Sequence, residues 1–83
     1  MSGVIRYWAA AKAAAGVAEE DYTGTWLGAV LAEAAERHGD ELRLVLQRCS
    51  FLVDGTPVGT RDPLGVALPD GAAIEVLPPF AGG

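Results

Sequence analysis

The chain has 83 residues, 51% of them hydrophobic and 7% aromatic, with a formal net charge of −5. One domain with a small core is expected at this length, and the apolar content argues against a disordered body. Six scattered Lys and Arg residues do not make a nucleic-acid surface, and no stretch reaches the roughly 18 apolar residues of a membrane helix.

Residues 3–9, GVIRYWA, are β-branched and aromatic and read as a strand. Alternation puts Ile5 and Tyr7 on one face and Val4, Arg6 and Trp8 on the other. AAAKAAAG follows as a short helix stopped at Gly16. The run resembles a signal peptide only superficially, because Lys12 interrupts it and its removal would delete the best strand. VAEEDYTG is a more polar second strand, hairpin-paired with the first, and its acidic run Glu19, Glu20 and Asp21 reads as a solvated edge.

From Thr25 the period changes. Leu27, Val30, Leu31, Ala34, Ala35 and His38 form one stripe of the principal helix, with Thr25 as candidate N-cap and Gly39 as its stop. His38 is placed to support the helix C-terminus. Residues 40–48 continue as a shorter helix or turn-rich segment. CSFLVDGTPV is then a strand with a tight Asp54-Gly55 turn, Pro69-Asp70-Gly71 is another turn, and residues 72–77 are the last strand, stopped by two prolines. With the first and last strands side by side and the helix over one face, the chain is an α+β β-grasp, or ubiquitin-like, fold of one domain (residues 1–83). Its globular body is residues 1–77 and its extended tail residues 78–83.

Face assignment puts Ile74 and Val76 under the helix with Ile5 and Tyr7. Arg6, Trp8, Glu75 and Leu77 then share the open face, where Arg6 and Glu75 are placed to pair and Trp8 and Leu77 form an apolar patch suited to a protein partner. Pro78 and Pro79 hold the following chain extended, Phe80 is its one large anchor, and Ala81, Gly82 and Gly83 end it with little or no side chain. Bare backbone at a terminus can pass a channel too narrow for any Cβ.

The opening VIRYWAAAKAAAG and the closing DGAAIEVLPPFAGG, a hydrophobic strand followed by Pro-Pro-x-x-Gly-Gly, resemble the ubiquitin-like sulfur carriers that include ThiS and MoaD, the small subunit of molybdopterin synthase. The resemblance runs from end to end. It implies that the Gly83 carboxylate is the working group, supported by Gly82. A MoeB-like activating enzyme would adenylate it with Mg-ATP, and a sulfur donor such as a cysteine desulfurase or a rhodanese-like protein would convert it to a thiocarboxylate, a C-terminal 1-thioglycine. A MoaE-like large subunit, in a heterotetramer of two small and two large chains, would use that sulfur to build the dithiolene of molybdopterin. Trp8, Lys12, Leu77, Pro78, Pro79, Phe80 and Ala81 are the partner-binding residues that the resemblance implies. Phe80 replaces a variable, often smaller residue, the loop around PLGVALPDG is longer than in some relatives, and Lys12-Ala13 stands where the family usually has Arg-Glu. A lysine lacks the bidentate fork of arginine.

No cofactor bound by this chain is expected. Cys49 is expected to be a small buried side chain, and with one cysteine and one histidine a metal site is not expected. The lone cysteine gives no sign of an oxidising compartment, so a cytoplasmic location is expected. No nucleophile–base pair and no phosphate loop is visible, which fits a carrier whose ATP is handled by another protein. Three rivals stay open: a carrier for thiamine or cysteine synthesis, a ubiquitin-like modifier joined to lysines through Gly83, and an interaction domain with an inert tail.

Overall fold

The computed structural model describes residues 2–79. β1 (Ser2–Tyr7) runs antiparallel to β2 (Glu19–Thr23) on one side and parallel to β5 (Ala73–Leu77) on the other. β3 (Ser50–Val53) lies antiparallel to β5 and carries the short β4 (Thr56–Pro57), giving the order β2-β1-β5-β3-β4. The hairpin between β3 and β4 turns at Asp54 and Gly55, both at positive φ (49° and 79°), which is the backbone a two-residue hairpin demands. Three helices join the strands: α1 (Ala9–Ala15), α2 (Leu27–His38) and α3 (Asp40–Leu46). A 3₁₀ turn, Pro63–Gly65, packs on the start of α2. This is the β-grasp arrangement, with the first and last strands adjacent inside the sheet.

Alternation decides which residues meet the helices. Ile5, Tyr7, Ile74 and Val76 are at most 2% exposed. They form one core with the α2 stripe of Leu27, Val30, Leu31 and Ala34, with Ala11 and Ala15 of α1, and with Leu42 of α3. Phe51 and Val53 sit opposite Val76 and Ile74 in register and pack against that core from β3. Removing this apolar surface from water is the main drive to the fold.

Three local expectations are corrected. The first strand ends at Tyr7 instead of Ala9, because Trp8 donates its N–H to the Val76 carbonyl and Ala9 turns the chain into α1 at φ 49°. The N-cap of α2 is Trp26 rather than Thr25, and no side chain caps it. Tertiary pairing fixes that start instead: Leu27 N–H donates to the Val66 carbonyl, Leu68 N–H donates to the Thr25 carbonyl, and Trp26 bridges to Ala67. Arg6 is level with Glu75 in the β1–β5 register, yet its ion pair is with Glu19 on β2, at 3.5 Å.

Candidate functional site at the tail root

β1 and β5 are parallel, so both finish at one end of the sheet, and Pro78 and Pro79 leave the body there. Pro78 is buried and Pro79 exposed, so the passage from packed to exposed chain falls between the two prolines. Leu77, partly buried, sits opposite Ser50 of β3. Trp8 follows β1 with extended backbone (φ −117°, ψ 148°) and is 49% exposed. Its carbonyl accepts from the N–H groups of Ala11 and Lys12 and so begins α1. Trp8 and Leu77 therefore lie at the same end of the sheet. Phe80, Ala81, Gly82 and Gly83 lie outside the described residues.

Lys12 is exposed on α1, beside a shallow depression formed with Ala9, Ala13, Gly16, Val17 and Ala18. Gly16 closes that helix in the left-handed region at φ 78°, its N–H returning to the Lys12 carbonyl. Lys12 has no acidic partner among the described residues.

Behind this end lies a polar cluster that the alternation pattern could have revealed. The expectation for Glu20, a solvated edge, is corrected: in register with Ile5, it faces the helices together with Tyr22. Its Oε2 accepts from the Tyr7 hydroxyl and contacts His38 Nε2, each at 2.6 Å, while Oε1 accepts from Arg37 Nε at 3.0 Å. Burial would raise this carboxyl, but hydrogen bonds from Tyr7, His38 and Arg37 outweigh it and hold the carboxyl below its ordinary value. Burial, with the hydrogen bond to Glu20, pushes the Tyr7 phenol well above its own. His38 lies in the last turn of α2, where it was expected, and its side chain also ties that end of the helix to the edge strand.

Cys49 is half-buried just before β3, and its Sγ donates to the Val45 carbonyl at 3.2 Å. Burial pushes its thiol up to about 11, which leaves it protonated and a weak nucleophile at neutral pH. Among the described residues no group of three or more His, Cys, Asp or Glu side chains could hold a metal ion, and no helix is long and apolar enough to cross a membrane.

The described structure ends at this root, where buried Pro78 and exposed Pro79 leave β5 and the sequence continues as Phe-Ala-Gly-Gly. The profile of the ThiS family matches residues 5–83, from β1 through the final glycine. The chain belongs to the ThiS family. The solution structure of small archaeal modifier protein 1 from Methanosarcina acetivorans has the same fold, with a TM-score of 0.84 and 22% identity over 99% of this chain and 96% of that one. The HVO 2177 protein of Haloferax volcanii matches with a TM-score of 0.81 and 27% identity, over 100% of this chain and 87% of its own. The complex of subunits 1 and 2 of the molybdopterin-converting factor from Helicobacter pylori matches at 0.71 and 23%, over all of both chains. No curated protein matches the chain. This member of the ThiS family thus has the ubiquitin-like fold of sulfur carriers and protein modifiers.

Proposed function

We propose that this chain is a sulfur carrier working through a thiocarboxylate at Gly83, and that it serves as the small subunit of molybdopterin synthase. The observation that supports the reading is a family match that runs on through Gly83, in a fold whose inner strand β5 delivers the chain to that terminus. A free carboxylate is ionised at neutral pH and a poor electrophile. Adenylation changes that: a Gly83 oxygen attacks the α-phosphorus of Mg-ATP on a MoeB-like enzyme, pyrophosphate leaves, and the acyl carbon now carries AMP as leaving group. The outer sulfur of a persulfide on a cysteine desulfurase or rhodanese-like donor displaces AMP to give an acyl disulfide. A second thiol then attacks the donor's cysteine sulfur, forming a disulfide with it and releasing the Gly83 thiocarboxylate. The thiocarboxylate is a good nucleophile, and a MoaE-like large subunit would direct it to the pterin precursor. The likeness to a two-subunit molybdopterin-converting factor supports such a partner.

Intact mass spectrometry of the untagged protein from its own host tests this reading. The expected species is heavier by the replacement of one oxygen by one sulfur, with fragment ions placing the change at Gly83 and not at Cys49. A terminus still carrying two oxygens after incubation with the activating enzyme, ATP and a sulfur source would overturn it. The likeness to an archaeal modifier favours a second reading, conjugation of Gly83 to lysines of other proteins, and an isopeptide bond at Gly83 in the same spectra would put that reading first.

A further inference from the structure

The chain has six Lys and Arg residues against eleven Asp and Glu. Four of the six cations are engaged: Arg6 with Glu19, Arg37 with Glu20, Arg43 with Asp40, and Arg61 with the carbonyls of Val58 and Pro57. Lys12 and Arg48 have no acidic partner among the described residues. Arg61 also lacks a carboxylate but is held by two backbone carbonyls, so Arg48 is the arginine whose side chain has neither an ion pair nor a hydrogen bond among the described residues.

The surroundings of Arg48 suggest what it is for. It follows α3 and, with Val45, lines a groove of about 240 Å³ whose other walls are Ala10 of α1 and the two prolines Pro78 and Pro79. The groove therefore opens where the chain leaves the body. Val45 and Arg48 also line a second depression with Leu44 and Gln47, and Leu44 is 63% exposed. Apolar walls around a guanidinium have the composition of an interface anchor, and the planar fork can hold a carboxylate through two parallel hydrogen bonds.

We infer that this groove docks an acidic segment of the enzyme that adenylates the C-terminus, an apolar side chain entering between Ala10, Val45 and Pro78 and a carboxylate pairing with Arg48. Two observations select that occupant. The groove is continuous with the root of the tail, so whatever holds the tail passes over it. Its charge is also opposite to that of the far end, where Asp54, Asp62 and Asp70 accept hydrogen bonds from backbone N–H groups, so an acidic segment is drawn to this end and repelled from the other. The inference rests on the proposed activation of Gly83, and it holds for a carrier and for a modifier alike, because both begin with adenylation.

The test measures binding of the full-length chain to its host's activating enzyme by isothermal titration calorimetry, without ATP, at two salt concentrations. Arg48→Glu is expected to weaken binding about tenfold or more at low salt, with Arg48→Lys recovering part of the loss and high salt narrowing the difference. Arg61→Glu, the same charge change at an arginine that does not line the groove, is expected to bind as the wild type, and thermal melting of each variant confirms that it is folded. Equal binding of folded Arg48→Glu and wild type would overturn the inference. So would an equal loss in both variants, which would trace the effect to net charge, and so would a change confined to self-association of the chain. Thiocarboxylate formation on the wild type is scored separately, so a failed sulfur chemistry and a failed docking site give different results.

Discussion

The two ends of the sheet use the same kinds of residue to opposite purposes. Where β1 and β5 begin, acids serve the backbone: Asp70 accepts from Ser2 N–H, Asp54 from Ala73 N–H and Asp62 from Leu64 N–H, while the Tyr22 hydroxyl donates to the Ala72 carbonyl. Where β1 and β5 finish, Glu20 gathers Tyr7, His38 and Arg37, while Lys12 and Arg48 have no acidic partner among the described residues. Exposed apolar side chains do not distinguish the ends, since Trp26 (48%) and Leu64 (69%) are as open at one as Trp8 and Leu44 are at the other. Unused charge does. An end whose acids accept from the backbone is built to hold, and an end with cations to spare beside a departing chain is built to meet something.

The holding end breaks most easily at Gly3. A Cβ there would collide with the Ala72 carbonyl oxygen and lie 2.6 Å from the Tyr22 hydroxyl. Backbone is the obstacle, so the strand itself has to shift. Gly3→Ala is expected to cost about 3 kcal/mol. Urea unfolding measures it, and a loss under about 1 kcal/mol would mean that the β1–β5 start is looser than its packing implies.

Glu20 tests the other end. Glu20→Ala leaves the buried Tyr7 hydroxyl and His38 without their acceptor, and is expected to cost about 2 kcal/mol. The carboxyl is held below its ordinary value in the fold, so its contribution is complete above the ordinary carboxylate range and is lost as pH falls through the lowered value. Wild type should therefore lose its advantage over Glu20→Gln on acidification. Melting temperatures followed downward from neutral pH check the sign, and parallel curves would remove Glu20 from the acid response.

How much of this was legible follows from which forces are local. The strands and the buried faces of β1, α2 and β5 were readable, because periods of 2 and 3.6 record burial directly, and the Asp54-Gly55 turn was readable because it needs positive φ at both positions. The start of α2 was not: Thr25 has the chemistry of a cap, but its carbonyl is taken by Leu68, 43 positions along the chain. Arg6 had an acid on each side in the sheet, and composition could not choose Glu19 over Glu75. Glu20 was hidden by its acidic neighbours, although Tyr22 two residues on already marked its face. Of the site, Trp8 and Leu77 could be placed at one end by pairing the first and last strands. Arg48 could not, since its significance lies in a groove assembled from α1, α3 and the prolines.

Tyr22→Phe removes the hydrogen bond to Ala72 (2.9 Å) but keeps the ring, so the holding end should weaken by about 1 kcal/mol, and less if water reaches the freed carbonyl. Unchanged stability on thermal melting would assign Tyr22 to packing alone.

The smallest effect on stability, and the one that separates the ends most sharply, is expected at Trp8. Half of its surface is already in water, no side-chain hydrogen bond of it caps α1, and the contacts that begin the helix come from its backbone, which alanine keeps. Trp8→Ala should therefore change the unfolding free energy by no more than about 0.5 kcal/mol. An exposed indole beside the tail root is instead expected to contribute in a complex, where tryptophan is among the residues whose truncation weakens binding most. Titration of the variant against the large subunit, with its melting curve as control, sets the two roles against each other: a stable protein that binds weakly keeps Trp8 in the meeting surface, and an unstable one returns it to the fold.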